Sequence, residues 1–393
     1  MKKLLLGMAV MLASLTSIHA RGIKVDCGIP AGNIVFERMS ADTVYVHQDL
    51  RDTRGDWFYW AFRVCGAQGK TLTFVFTKSV AVGVRGPAVS TDRGRSYSYA
   101  AESGATRHSF TYTFPSGARE VWFYECHPYM PQRWESFVRR HRRDGIMSDI
   151  LCQSRKGRDV PVCRFGRTDG QAEYRVVLSA RHHCSETMAD YVIEGAAESF
   201  MAADGLGEWL RAHMELIVVP FVDMDGAVEG DQGKNREPHD HNRDYTEFLY
   251  PETAALASLM KQEKPQIFID VHCPWLYGGT NEYIYTPWKD ESTMRHPDAE
   301  HRFSQLLEQY QEGGLRYKAS DDLPFGVDWN TGANYAQGRS SIVWAGENVP
   351  SLLICRSLEV PFANANGAVV TPESAVSFGH GLAATFRALV EGK

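Results

Sequence analysis

No CxxC pair occurs in this chain of 393 residues, and its eight cysteines (27, 65, 126, 152, 163, 184, 273 and 355) fall at irregular spacing. A thiolate zinc site, which needs closely spaced cysteine pairs, is therefore excluded. A disulfide scaffold is not required either. Hydrophobic residues make up 44% and charged residues 23%, the balance of a globular chain able to bury a large core. Cys152 and Cys163 flank a turn-like stretch at 154–159 and could bridge two paired strands; the other cysteines read as small buried hydrophobes. Concentrated positive charge is also missing. The formal net charge is −6, which argues against a nucleic-acid partner, because phosphate binding needs clustered Lys and Arg. One basic run, RRHRR at 139–143, lies in a helical pattern beginning near Gln132 and reads as a solvated helix face. Internal repeats and low-complexity linkers are absent. So is any stretch of about eighteen uninterrupted apolar residues, and no stable membrane insertion is expected.

The apolar run at 4–12 is too short for a span, but it follows Lys2 and Lys3 and leads through small and polar residues to Ala20. Charged start, short apolar centre and small residue at the end make residues 1–20 a secretory signal peptide. Cys27 follows no small/apolar run of the kind that precedes a lipid-bearing cysteine. The expected mature protein is soluble and exported, periplasmic or secreted, and begins near Arg21.

Residues 21–130 read as an all-β unit, a sandwich. Segments at 43–46, 57–64, 72–76 and 120–124 are rich in aromatic and β-branched residues and are separated by Gly, Asp and Ser turns. After Pro131 the pattern changes. An amphipathic helix runs to about Arg143. Candidate strands at 174–179, 216–221, 266–270 and 352–355 then alternate with candidate helices at 186–202, 247–261, 299–311 and 373–390. Alternation of this kind predicts an α/β domain over 131–393, a mixed, largely parallel sheet flanked by helices.

In α/β sheets, function collects beyond the carboxyl ends of the strands. Behind the first candidate strand comes ARHHCSE (180–186), and behind the second comes VDMDG (222–226), a turn leading to DHNR (240–243). Val271 and His272 follow the third, and RSLE (356–359) the fourth. His183 and Glu186, separated by two residues at a strand-to-helix turn, can aim both side chains at one point, and His272 adds a second imidazole. Two nitrogens and one carboxylate with a fourth position open form a catalytic zinc site. Taken singly, these residues fit a capping Glu and buried, hydrogen-bonded histidines equally well.

The ordered set ARHHCSE, DMDG (223–226), HDHNRDY (239–245), FIDVHC (268–273) and RSLE resembles the zinc carboxypeptidase family, and most closely its cytosolic-carboxypeptidase-like branch. The β-rich front with its WFYWAFRV segment and the His127-Pro128-Tyr129 that follows extend the resemblance over nearly the whole mature chain. It implies one zinc held by His183, Glu186 and His272, with Asp240 orienting a zinc histidine. It implies Asn242 and Arg243 as the grip on the terminal carboxylate of a peptide substrate, and Glu359 as general base and acid. Tyr335 is a candidate for capping the substrate, or else packs plainly.

The chain also departs from the branch. The family's oxyanion-stabilising arginine falls by spacing on Gly233, leaving Arg236 or Lys234 to act from the shifted loop, with Arg236 preferred. His-Pro-Gly-Glu is His-Cys-Ser-Glu here, which leaves the ligands intact. The pocket-shaping Gly-Thr-Gly-Arg segment resembles Gln337-Gly338-Arg339-Ser340 only after a one-residue shift. Two other readings compete. One is an aspartoacylase-like zinc amidohydrolase, against which the position of the sandwich before the catalytic part argues. The other is a non-catalytic zinc- or peptide-binding surface protein, against which retention of Glu359 argues.

Overall fold

The computed structural model describes residues 18–20, 22–100 and 105–393; the charged and apolar parts of the expected signal peptide lie outside these. The front of the chain is a pair of facing sheets. One has the order β1 (Ile18–Ala20), β2 (Ile23–Asp26), β5 (Ala61–Cys65), β10 (Glu120–Tyr124), β7 (Ala88–Ser90), β8 (Ser98–Tyr99). The other runs β3 (Val35–Ser40), β4 (Thr43–His47), β6 (Thr71–Phe76), β9 (Ser109–Thr113). Alternation decides which faces meet. In β6, Leu72, Phe74 and Phe76 are buried while the residues between them are not, as a strand with one face on a core requires. Phe74 meets Phe62 of the opposite sheet at a ring separation of 5.4 Å, and Trp60 meets Phe76 at 4.8 Å. Each such pair adds about 0.5–1.5 kcal/mol beyond area burial.

Helix α1 (Pro131–Arg140) follows, with Pro131 at its first position, where the missing N–H costs nothing. Its last arginines are solvent-exposed. A third sheet has the order β11 (Met147–Gln153), β12 (Asp159–Gly166), β14 (Met214–Val219), β13 (Tyr174–Ala180), β15 (Ile267–His272), β16 (Ile354–Glu359). The first three are antiparallel neighbours and the last four are parallel. Every residue of β14, β15 and β16 is buried, so both faces of the sheet are covered.

The cover is helical. Helices α2 (Met188–Met201), α3 (Gly205–His213), α6 (Pro297–Tyr310) and α8 (Pro372–Val390) pack as one group. Helix α4 (Met224–Glu229) is a short turn behind β14, and α5 (Pro251–Glu263) packs with α7 (Ser341–Asn348). Helices α2 and α8 approach at glycine: a Cβ on Gly195 would stand 2.0 Å from the Val376 carbonyl oxygen. One continuous apolar cluster runs from Ile23 of the sandwich to Leu389 of α8. Among the described residues no helix is long and apolar enough to cross a membrane.

Two expectations need correcting. Cys152 and Cys163 do sit on paired strands, but Cys152 faces Val160 and Cys163 faces Ser148. That register puts them about 10 Å apart along the ladder, beyond disulfide reach, and both are free thiols. The strand ends also lie further on than their sequences suggest, because β15 includes His272 and β16 includes Glu359. The two residues are ladder partners.

Candidate metal centre and substrate cleft

The centre is assembled where β13, β15 and β16 end level. β13 stops at Ala180, opposite Val271, and the chain turns at Arg181 in the left-handed region (φ 61°). The buried Arg181 guanidinium donates to Asp190 Oδ2 at 2.7 Å and to the Cys184 carbonyl at 2.5 Å. This holds the 181–186 turn in one shape. From it, His183 Nδ1 reaches Glu186 Oε1 at 2.9 Å. His272 Nδ1, from the end of β15, reaches Glu186 Oε2 at 2.8 Å. One ligand atom of each of the three lies within 4.8 Å of the others.

The far nitrogens face two further carboxylates. His272 Nε2 is 2.8 Å from Asp270 Oδ2, and His183 Nε2 is 3.8 Å from Asp240 Oδ1. A carboxylate behind each imidazole fixes the tautomer that presents Nδ1 to a metal. Asp270 has the more direct contact of the two, a role not read from FIDVHC. The D-x-H spacing carries the signal, since residues two apart on a strand share a face. Burial opposes ionisation of Glu186, but Lys234, His183 and His272 hold its carboxyl well below the ordinary range. Burial likewise opposes protonation of His272, yet Asp270 and Glu186 hold it well above that of a free histidine. Burial holds His183 itself below a free histidine, toward the neutral form that a metal ligand needs.

A second group, His182, Asp270 and His272, is also compact enough for an ion. Its atoms are already engaged. His182 Nε2 meets the Tyr245 hydroxyl at 2.7 Å, and Asp270 accepts from Ser179 and Ser341 besides the two histidines. Neither His182 nor Asp270 has exposed surface. A catalytic zinc needs an open coordination position, and only the first group lines a cleft. Its donor set of two imidazoles and one carboxylate fits catalytic zinc.

That cleft has a volume of about 360 Å³ and is lined by His183, Glu186, His272, Lys234, Arg243 and Glu359 among others. Burial pushes Glu359 up to about 7, with Glu186 adding to it against His272 and Lys234. Asn242 is fixed by donation from the Ser341 amide to its Oδ1 at 3.0 Å. Arg243 donates from Nη1 to the Asn242 carbonyl at 2.8 Å and stacks over Tyr335 at 5.4 Å. Among the described residues no carboxylate lies within ion-pair distance of it. Tyr335 lines the cleft, its hydroxyl donating to Asn330 Oδ1 at 2.9 Å. An adjoining cavity of about 300 Å³ shares Pro287, Tyr335 and Ile342 with the cleft and takes in Arg339. Trp57, Trp275, Tyr285 and Trp329 also line the cleft and were not singled out in the sequence.

Arg236, the preferred oxyanion residue, is not in the cleft. Its Nε donates to Asp52, its Nη1 to Asp223 and its Nη2 to Asp231, at 3.0, 2.5 and 3.0 Å. Its other two N–H groups face His241 Nδ1 at 3.4 Å and the Cys184 sulfur at 3.9 Å, so all five donors are engaged and none is left for a substrate. Lys234 faces the cleft instead, its Nζ 2.8 Å from Glu186 Oε1 and 4.9 Å from the Trp57 ring centre. The family's arginine position, Gly233, has φ 78°, and a Cβ there would meet the Cys184 amide at 2.4 Å. A side chain at 233 is sterically shut out, and its neighbour points inward.

The zinc carboxypeptidase family profile matches residues 142–245. Cytosolic carboxypeptidase 6 of Caenorhabditis elegans is 25% identical over 223 residues, covering 51% of this chain and 48% of its own length. An uncharacterized protein of Zymomonas mobilis is 23% identical over 260 residues, 64% of this chain and 67% of its own. The chain thus spans about half the length of that cytosolic carboxypeptidase. In fold, the metallo-carboxypeptidase of Burkholderia cenocepacia superposes with a TM-score of 0.78 at 16% identity, covering 94% of this chain and 99% of that one.

Proposed function

On a chain that carries a zinc carboxypeptidase domain homologous to the cytosolic carboxypeptidases, we propose hydrolysis of the C-terminal peptide or isopeptide bond of a substrate with a free carboxylate. The observation that carries this reading is Arg243, with no carboxylate among the described residues within ion-pair distance, in the same cleft as the metal triad and Glu359. A cation left unpaired beside a catalytic zinc site is a receptor for a substrate anion, and the planar guanidinium meets a carboxylate bidentately.

His183, Glu186 and His272 would hold the zinc, which when bound lowers the pKa of its water to about 7 and polarises the scissile carbonyl. Glu359 accepts the proton of the attacking water and delivers it to the leaving amine. Its burial beside Glu186 supports proton exchange near neutral pH. Lys234 offers its ammonium to the developing oxyanion, Asn242 and Arg243 grip the terminal carboxylate, and Tyr335 closes over it. The adjoining cavity, with Arg339 on its wall, is the nearest room for the departing side chain. The amidohydrolase alternative gains nothing from the comparisons, which point to a peptidase domain.

The test is a matched peptide pair differing only at the C-terminus. Amidation should cost wild type about 10²-fold or more in kcat/KM, because a charge-assisted pair is lost. Arg243→Ala should hydrolyse the two peptides at nearly equal, low rates. Equal cleavage of both by wild type would make the enzyme an endopeptidase or amidase and remove the role given to Arg243.

Export is part of the same proposal, resting on the pattern of residues 1–20. Cleavage after Ala20 would remove β1 and leave β2 as the sheet edge. Intact mass of periplasmic or secreted material should correspond to a chain starting near Arg21; a retained Met1 would exclude export by this signal.

A further inference from the structure

Lys234 sits on a segment, 231–236, that is held from both domains: on the catalytic side the Asp231 amide donates to the Gly226 carbonyl at 3.1 Å and the Asn235 amide to Asp240 Oδ2 at 3.2 Å. Two other backbone amides of the segment are held by one side chain from the β-sandwich. Asp52 Oδ1 accepts from the Gln232 amide at 3.0 Å, and Oδ2 accepts from the Gly233 amide at 2.9 Å. The same Oδ2 takes the Arg236 Nε at 3.0 Å, so Asp52 grips the segment on both sides of Lys234. Further sandwich contacts continue the clamp. Gln232 and Tyr59 exchange two hydrogen bonds of 2.8 Å, the Gln232 amide group against the Tyr59 main chain. The Arg54 amide donates to the Asn235 carbonyl at 3.2 Å. The Trp57 indole then lies under the Lys234 ammonium. From the catalytic side the segment is met by Ser185 Oγ, which donates to the Gln232 carbonyl at 2.9 Å, and by the Cys184 thiol on the Asp231 carbonyl.

A lysine side chain has four rotatable bonds and no intrinsic preference for one place. Its ammonium is useful to a developing oxyanion only if preorganised, since an ammonium that must be brought in at the moment of reaction spends the gain on ordering itself. Here the ammonium is ordered by the Glu186 carboxylate on the catalytic side and, from the sandwich, by the indole platform under it and the amide clamp on the backbone that carries it. We infer that Asp52 is a positioning residue that sets Lys234 in the cleft, so that the β-sandwich completes the active site rather than merely preceding it. The inference rests on the hydrolytic reading above.

Asp52→Asn is the informative change. It keeps size but replaces one acceptor oxygen by a donor, which then faces the Gly233 amide or the Gln232 amide unfavourably. Kinetics are measured for wild type, Asp52→Asn, Lys234→Met and the double variant, on full-length zinc-loaded protein. Lys234→Met is expected to lower kcat by about 10²–10³-fold, the scale of losing one oxyanion donor. Asp52→Asn should lower kcat at least about 10-fold with KM and zinc content near wild type. The double variant should match Lys234→Met within about twofold, because a clamp has nothing left to position.

Losses that multiply, or an Asp52→Asn enzyme with wild-type kcat, would overturn the inference. Hydrogen exchange supplies an arm independent of activity: in Asp52→Asn the amides of 231–236 should exchange faster while β13 and β15 stay protected. Unchanged exchange at 231–236 overturns the inference even if no peptide substrate is found. A wild-type enzyme inactive on all peptides, with the exchange difference present, counts instead against the hydrolytic reading.

Discussion

Glu359→Gln should lower kcat by about 10²–10⁴-fold, the usual worth of general acid–base catalysis, while the protein keeps its zinc. The side chain ends β16 and is not among the three groups that converge on the metal position. Glutamine keeps the length and can still hydrogen-bond, but it neither takes a proton from water nor returns one to an amine. The loss should fall on kcat, because the peptide carboxylate is gripped elsewhere, by Asn242 and Arg243. Stability should not suffer. Glu359 is buried, and its carboxyl is already pushed toward the neutral form by that burial, so an uncharged isostere removes a desolvation cost rather than a contact. Zinc content by elemental analysis, thermal melting and steady-state kinetics on one batch decide the matter. Full activity would show that another group moves the proton. Loss of zinc together with activity would make Glu359 a structural member of the site.

The reasons some of this was legible in the sequence, and some was not, are physical. Strand-end logic located His183, Glu186, His272 and Glu359 because a parallel sheet gathers its carboxyl ends at one rim whatever the loops do. It misjudged where the strands stop. His272 and Glu359 still carry ladder pairing, and polar residues at the end of a buried strand look like loop when read by composition. Helix α3 went unread because Gly205 and Gly207 weaken its local propensity; Asp204 caps it instead, accepting from the Gly207 amide at 2.8 Å. The choice between Arg236 and Lys234 lay beyond local reading. It turns on Asp52, far upstream, and on Asp223 and Asp231 claiming the guanidinium. It turns also on a positive φ at Gly233 that spacing cannot reveal. The same holds for Trp57, which enters the cleft from a different part of the chain.

The metal assignment gives the other large effect, and adjacent histidines make it decisive. His182 and His183 each belong to a compact His/carboxylate group that shares His272, so removing His272 abolishes zinc under either assignment and discriminates nothing. The informative pair is His183→Ala against His182→Ala. His183 presents Nδ1 to Glu186 at the cleft, so its loss should drop zinc from about one per chain to near none after dialysis against a mild chelator, and hydrolysis with it. His182 lies sealed between Asp270 and the Tyr245 hydroxyl. Its loss should leave zinc bound, with affinity lowered by about 10–100-fold through the looser Asp270 behind His272. It should also cost stability, since Asp270 and Tyr245 lose a buried partner. Circular dichroism separates that cost from metal loss, and only folded material enters the zinc measurement. If His183→Ala keeps its zinc and His182→Ala does not, the metal belongs to the sealed group. The cleft lined by Lys234, Arg243 and Glu359 would then have no metal at its floor, and the carboxypeptidase chemistry proposed for it would fail with that result.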